Sequence, residues 1–352
     1  MLASASMRKF IITIAIAASI LAAAMPVSSQ PLREIAPVKG SVDLRGLGVG
    51  SAVKIDGEWE FYWRRFVAPS RFSVDATGPA PVPDAYGVVP GEWKSYPVPG
   101  IVPLGYGTYR IRLENLDPRI DWSVKLGSII SAYKVYANGA LVAAVGEPGV
   151  DEDSERPGWS SVVARLGPVR DGSIDLVVFI SNFADRSGGS QSSVVVGDYD
   201  ALAGLRTKAR LYQVFIFGAL VAMGLYFVCL FIFRPKDLPA LAFGLLCLSL
   251  ALRTICYDEY CIQLLWPALE WRALFRLGYL MFSVPVLLFA CFMRAAYPRL
   301  FARPVFLAVA TACAGYSALY AFGSTLAMGR SLLSFQIVAL ATGLYAVAVL
   351  GR

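Results

Sequence analysis

The chain has 352 residues, the length of about two average domains. With 57% hydrophobic and 16% charged residues and a mean hydropathy of +0.57, it is more apolar than water-soluble proteins usually are. The net charge of +7 is scattered, with no basic run to track nucleic-acid phosphates, so nucleic acid is excluded as a partner. Histidine is absent, which removes His-based triads, His-ligated metals and a phosphoacceptor histidine from these residues; no cofactor is expected.

Residues 1–29 read as a signal peptide. Arg8 and Lys9 form the positive start, Phe10 to Met25 the apolar core, and small Val27 and Ser29 suit cleavage before Gln30. The core is interrupted by Pro26 and is short for a span of about 20 residues, which disfavours an uncleaved anchor. The following segment is therefore expected outside the cytoplasmic membrane.

Residues 30–205 carry short alternating runs separated by Gly, Pro, Asn and Asp, the signals of strands and turns. In Thr108 to Glu114 the alternation directs Tyr109, Ile111 and Leu113 to a core. Ala132 to Ala137, then Asn138-Gly139, then Ala140 to Val142 reads as a hairpin, because both central residues of a type I′ turn need positive φ. Further strands are expected at Val53 to Tyr62, Trp122 to Leu126, Ile174 to Ile180 and Ser193 to Val196. Strands recurring without helical periodicity predict an all-β antiparallel sandwich or jelly roll.

Aromatic side chains are dense here. Trp59 and Phe61 alternate as core residues do, whereas Tyr106, between Gly105 and Gly107, reads as an exposed loop candidate for ligand binding. Asn182, Asp185 and Arg186 lie in a polar loop directly after a strand, where binding residues are often placed; a hydrogen-bonded structural turn is the competing reading. Asp151, Glu152, Asp153 and Glu155 read as a solvated acidic loop.

Residues 206–352 contain five apolar stretches, at about 211–233, 238–255, 274–293, 305–322 and 332–350, each long enough to span a bilayer. With the amino-terminal domain outside, Arg234, Lys236, Arg294, Arg299 and Arg303 fall in inner loops against Arg272 and Arg330 in outer ones, as the positive-inside rule favours; Arg206, Lys208 and Arg210, on the outer side of the first span, run against it, but export of a whole folded domain is set mainly by the signal peptide. Arg253, Asp258 and Glu259, at the outer end of the second span, are candidates for signalling through a locking ion pair, with snorkelling to the interface an equal explanation of Arg253. No span holds a central Asp, Glu or Lys, which disfavours a proton-coupled carrier. All six cysteines lie in this half. They are expected to be small apolar residues of helices, with a Cys256–Cys261 disulfide the less favoured alternative.

A resemblance runs from about residue 38 to the end. Its residues in the polar half are Gly57 to Trp63, Val98-Pro99-Gly100, Gly105 to Arg110, Ser131 to Gly139 and Ser181-Asn182-Phe183. In the apolar half they are Phe217 to Leu220, Met223 to Tyr226, Phe233 to Asp237, Phe243-Gly244-Leu245 and Ala251-Leu252-Arg253. This series resembles the bacterial seven-transmembrane receptors with diverse intracellular signalling modules, and their type 2 extracellular domain. The resemblance implies a galactose-binding-like jelly roll on the periplasmic side of the inner membrane, binding a small molecule or glycan. It also implies a helical bundle passing the signal inward to a cyclase, histidine kinase or phosphatase module, and dimerisation through that module. Asp185 precedes Arg186 where the family usually has a His-Arg pair, and the family has seven spans plus an output domain. The resemblance thus predicts either a fragment of such a receptor or a receptor truncated after its fifth span, with no enzyme in these residues. A membrane transport or assembly component whose jelly roll binds a partner protein is the runner-up, and a glycosidase relative using paired carboxylates is third.

Overall fold

The computed structural model describes residues 32–72, 78–127, 129 and 131–351. The signal-peptide reading of residues 1–29 lies outside them. Twelve described strands form two sheets. One sheet has the order β1 (Arg33–Glu34), β3 (Ala52–Lys54), β12 (Val194–Asp198), β7 (Trp122–Leu126), β10 (Val162–Arg165). The other runs β5 (Ala85–Val89), β4 (Gly57–Trp63), β6 (Gly105–Glu114), β11 (Ile174–Asn182), β8 (Ala132–Ala137), β9 (Ala140–Val145), with β2 (Ser41–Asp43) parallel to one end of β6.

Alternation decides which side chains enter the core between the sheets. Tyr109, Ile111 and Leu113 of β6 are buried as expected, as are Trp59 and Phe61 of β4, packed with Trp122 and Val124 of β7 and Val178 and Ile180 of β11. The architecture is the expected β-sandwich. The hairpin β8–β9 turns at Asn138 (φ 47°) and Gly139 (φ 88°), the left-handed pair that the dipeptide predicts.

The expected single strand from Val53 to Tyr62 is two strands in different sheets. The chain crosses at Ile55 and Asp56, where Ile55 N donates to Val194 O at 2.9 Å and Asp56 Oδ2 accepts from Ser193 Oγ at 2.7 Å. Val53, Ile55, Trp59 and Phe61 keep one alternating register through the crossing and are all buried, so the pattern reads as continuous. The edge strands β1, β2, β5 and β10 have between two and five residues, too few for periodicity to reveal.

The helices are α1 (Tyr199–Phe233), α2 (Leu238–Cys256), α3 (Ile262–Leu265), α4 (Trp271–Ala296), α5 (Arg303–Phe322) and α6 (Thr325–Leu350). All but α3 are long and apolar enough to cross a membrane. The apolar window of α1 has a mean hydropathy of 2.5 and is only 11% buried, an outward apolar surface that hydrocarbon solvates and water does not. This is a multi-pass membrane protein. Pro235 follows the end of α1, since it has no N–H to continue the helix, and Asp237 caps α2 by accepting from Ala240 N at 3.3 Å. α1 and α2 approach at paired glycines: a Cβ on Gly224 would lie 3.0 Å from Gly244 O, and one on Gly244 would lie 2.9 Å from Gly224 O.

Two compact units result. One holds the sheets, the chain up to Arg210, and the three residues Asp258–Tyr260; the other holds Leu211–Tyr257 and the residues from Cys261 onward. α1 begins at Tyr199, twelve residues before the expected apolar stretch at Leu211. Its first turns hold Asp200, Arg206, Lys208 and Arg210, good helix formers or N-terminal acids that hydropathy alone overlooks.

Candidate ligand-binding site

The outward face of the larger sheet is set by the same alternation that fills the core. On β6, Tyr106, Thr108, Arg110 and Arg112 point away from the core; on β11, Asp175, Val177, Phe179 and Ser181 do; on β8, Lys134 and Tyr136 do. Register places Ser181 opposite Tyr106, and Phe179 between Thr108 and Lys134.

Tyr106 corrects the expectation of an exposed loop: it lies within β6 and is half-buried. Its flanking glycines face inward, because a Cβ on Gly105 would come within 2.6 Å of the Trp63 ring and one on Gly107 within 2.8 Å of Tyr62 O. Gly-Tyr-Gly is therefore a strand under a crowded core rather than a turn. Tyr106 begins a chain of rings. Phe66, on the segment after β4, has its centroid 4.9 Å from Tyr106 and 4.9 Å from Phe179, and Tyr136 lies 5.0 Å from Phe179. All four rings are half-buried. An ion pair between Lys134 and Glu147 borders them.

The same face carries a charge network. Arg110 Nη1 donates to Glu60 Oε1 at 2.9 Å, and its Nε and Nη2 donate to Asp175 Oδ1 at 3.0 and 2.5 Å. Tyr62 OH donates to Glu60 Oε2 at 2.7 Å, and the Arg110 guanidinium lies 4.7 Å from the Phe72 ring centre. Flat apolar rings beside fixed donors and acceptors suit a ligand with an apolar face and a polar rim, as a pyranose has. Phe179 and Tyr136 were findable in the sequence as aromatics at outward strand positions; Phe66, outside any strand, had no such signal.

The loop after β11 is a hydrogen-bonded turn. Asn182, buried, donates from Nδ2 to Pro103 O at 2.9 Å and Asp185 O at 2.8 Å, while its Oδ1 accepts from Asp185 N at 3.0 Å. Asp185 Oδ1 accepts from Ser187 N at 2.9 Å, and Asp185 is itself buried. Both side chains are thus committed to backbone groups, Asp185 within the turn and Asn182 to the turn and to Pro103, whereas Arg186 is exposed.

Burial pushes the Asp185 carboxyl above its ordinary value. The Ser187 N–H and the Arg186 guanidinium oppose the shift, and Glu92 adds to it. A carboxyl raised on folding contributes stability that is full below the unfolded value and lost as pH rises through the folded one. Asp185→Asn is therefore expected to raise the sandwich's melting temperature at pH 7 and to leave it unchanged in acid below the ordinary aspartate range. Thermal melts followed by tryptophan fluorescence at the two pH values check this; a variant less stable at pH 7 refutes it.

The acidic run is not uniformly solvated. Glu155 is buried: its Oε1 accepts from Ser131 Oγ at 2.7 Å and Ser181 Oγ at 2.5 Å, and its Oε2 accepts from Phe183 N at 3.1 Å. It ties the 147–158 loop to β8 and β11, at the end of the outward face where Ser181 lies opposite Tyr106.

Of the membrane candidates, Arg253 stacks over Phe282 (4.9 Å) and Tyr257 (5.7 Å). Glu259 pairs elsewhere than the expected lock with Arg253: its Oε1 lies 2.7 Å from Lys125 Nζ and its Oε2 3.3 Å from Arg206 Nε. Nothing local in the sequence points to these partners, since Lys125 is 134 residues away. Asp258 is exposed, with φ 58°. Cys256 and Cys261 form no disulfide; Cys261 Sγ donates to Gln213 Oε1 at 2.8 Å. No cluster of three or more Cys, Asp or Glu suited to a metal occurs among the described residues.

Solved structures with a partial likeness to this chain include the following three. A GH2 β-galacturonidase from Eisenbergiella tayi bound to glycerol is 16% identical, over 42% of this chain and 24% of that one, with a TM-score of 0.29. A β-glucuronidase from Ruminococcus gnavus in complex with uronic isofagomine is 17% identical over 42% and 28%, with a TM-score of 0.31. An uncultured Clostridium sp. β-glucuronidase is 14% identical over 42% and 28%, with a TM-score of 0.31. The chain thus spans under a third of each of these proteins' length. No curated protein matches the chain. Residues 209–352 match the family described as 7TM diverse intracellular signalling, starting two residues before the helical unit does at Leu211. The chain resembles, in its membrane half, the bacterial seven-transmembrane receptors of diverse intracellular signalling.

Proposed function

We propose that this chain is the sensing and membrane-spanning part of a transmembrane signalling receptor. The observation that carries the reading is continuity: a β-sandwich feeds, through the unbroken helix α1, directly into the residues that match the signalling family. The sandwich stands on the periplasmic side of the inner membrane, as the surplus of Arg and Lys in the inner loops favours. It binds a small carbohydrate-like ligand on the outward aromatic face around Phe66, Tyr106, Tyr136 and Phe179. Binding biases a two-state arrangement of the helices, which requires different ligand affinity in the two states. The output goes to an intracellular signalling module, and these residues themselves perform no catalysis.

The test is a glycan panel presented to the full chain in lipid nanodiscs, followed by titration of any ligand found. Tyr106→Ala and Phe179→Ala are expected to weaken binding about tenfold or more, the loss of one stacked ring. Binding lost only in Arg186→Ala moves the site to the loop after β11. A folded protein that binds nothing across the panel refutes the carbohydrate ligand.

A further inference from the structure

Asp258–Tyr260 lies between two membrane spans in the sequence, yet its contacts make it part of the sandwich unit. Glu259 is 7% exposed, and each of its carboxylate oxygens faces a different cation. Lys125 Nζ, from the last residue but one of β7, is 2.7 Å from Oε1; Arg206 Nε, from the first turns of α1, is 3.3 Å from Oε2. Arg206 is fixed in turn, its Nη2 donating to Ser161 O at 2.7 Å. The Tyr260 ring packs 5.2 Å from Trp159. On either side of Glu259 the backbone is left-handed, with φ 58° at Asp258 and 51° at Tyr260. Neither residue is glycine, so this conformation persists only while the surroundings enforce it.

We propose that Glu259, Lys125 and Arg206 form a releasable electrostatic clamp through which the sandwich governs the helices. Closed, the clamp holds the 258–260 backbone in its strained form and fixes the chain entering α3 and leaving α2. Open, the backbone relaxes and those two helix ends keep the bonds to Gln213 but lose the hold of Glu259. The two cations sit on separate routes. Lys125 is paired to Val163 of β10 and Val195 of β12, so a shift of the smaller sheet moves it directly. Arg206 rides on the helix that continues as the first span. A buried carboxylate tolerates two cations far better than one, since losing either leaves charge poorly solvated. Such a clamp switches rather than yielding gradually. The proposal rests on the receptor reading for the direction of the signal alone, and its test needs no ligand.

Native cysteines report on the segment. Cys256 and Cys261 flank it and are 0% and 4% exposed, while Cys313, 0% exposed, belongs to the core of the helical unit. In the full chain in nanodiscs, maleimide labelling at each cysteine is followed by peptide mass spectrometry. Glu259→Gln is expected to speed labelling of Cys256 and Cys261 at least about tenfold, as a local opening does, with Cys313 unchanged. Lys125→Met should do the same, and Lys125→Met with Glu259→Gln should be no faster than the quicker single variant, because both remove one interaction. If Glu259→Gln also exposes Cys313, Lys125→Met decides by the same criterion. Unchanged rates at Cys256 and Cys261, or single effects that multiply in the double variant, overturn the clamp and leave the ligand-binding test standing.

Discussion

Arg110→Met is expected to destabilise the sandwich by about 3–5 kcal/mol, because it removes the cation that two largely buried carboxylates share, leaving Glu60 the Tyr62 hydroxyl and Asp175 the more distant Arg112. The side chains of Arg110, Glu60 and Asp175 are 14%, 14% and 10% exposed, so water replaces little of the lost attraction. The network spans three neighbouring strands: Glu60 on β4, Arg110 on β6 and Asp175 on β11. Its loss loosens the centre of the larger sheet. Urea unfolding of the full chain, followed by the fluorescence of buried Trp59, Trp93 and Trp122, should show the midpoint falling with the slope unchanged. The companion variant, with Glu60→Gln and Asp175→Asn added, should recover most of the loss, since the cost comes from orphaned charge and not from a missing attraction. An Arg110→Met protein as stable as the parent, or no recovery in the companion, refutes this account.

What the sequence disclosed followed the range of the interactions involved. Asn138-Gly139 announced its turn because both residues must adopt positive φ, a demand met within two positions, and Tyr109, Ile111 and Leu113 announced the core by alternation. The crossing at Ile55 and Asp56 stayed hidden because the inward register runs through it unbroken. Gly105 and Gly107 misdirected the reading of Tyr106: glycine permits a turn, but here it makes room for Trp63 and Phe61. Apolar length alone disclosed the membrane helices, and it missed the polar start of α1 for the same reason.

The candidate sites divide along that line. Asn182 and Asp185 were legible as a polar loop, and neighbours in sequence consume Asp185 and most of Asn182, because short polar side chains after a strand close Asx-type turns on the nearest backbone; the bond from Asn182 to distant Pro103 had no local signal. Tyr136 and Phe179 were available as outward aromatics. The partners of Glu259 and the burial of Glu155 depend on which distant segments fold over them, and local composition carries no record of that. A run of four acids within five residues reads as solvated because most such runs are, and the exception is created by Ser131, just before β8, and Ser181, on β11, which lie on either side of it in the sequence.

That exception yields the second large effect. Glu155→Ala deprives the Ser181 hydroxyl and the Phe183 N–H of their acceptor in a largely buried setting and leaves the Ser131 hydroxyl its longer bond to Ser181 O at 3.3 Å. At roughly 1–3 kcal/mol for each donor orphaned, and with water entering to serve some of them, the expected loss is about 3 kcal/mol. Glu155→Gln retains a carbonyl acceptor and should lose about half as much. Ser181 also accepts from Gly149 N at 3.2 Å, so the 147–158 loop should detach from β11 before the sandwich unfolds. Hydrogen exchange read across the full chain distinguishes the two events. In Glu155→Ala, amides of residues 147–158 and Phe183 should exchange far faster than in the parent, while those of β6, central to the larger sheet, change only by the global loss. Because Ser181 lies opposite Tyr106 across the β11–β6 ladder, the same variant should weaken any ligand held on the aromatic face without removing a single ring. Exchange unchanged in the loop would mean that Glu155 is dispensable to it, and that the carboxylate is kept for a reason other than anchoring.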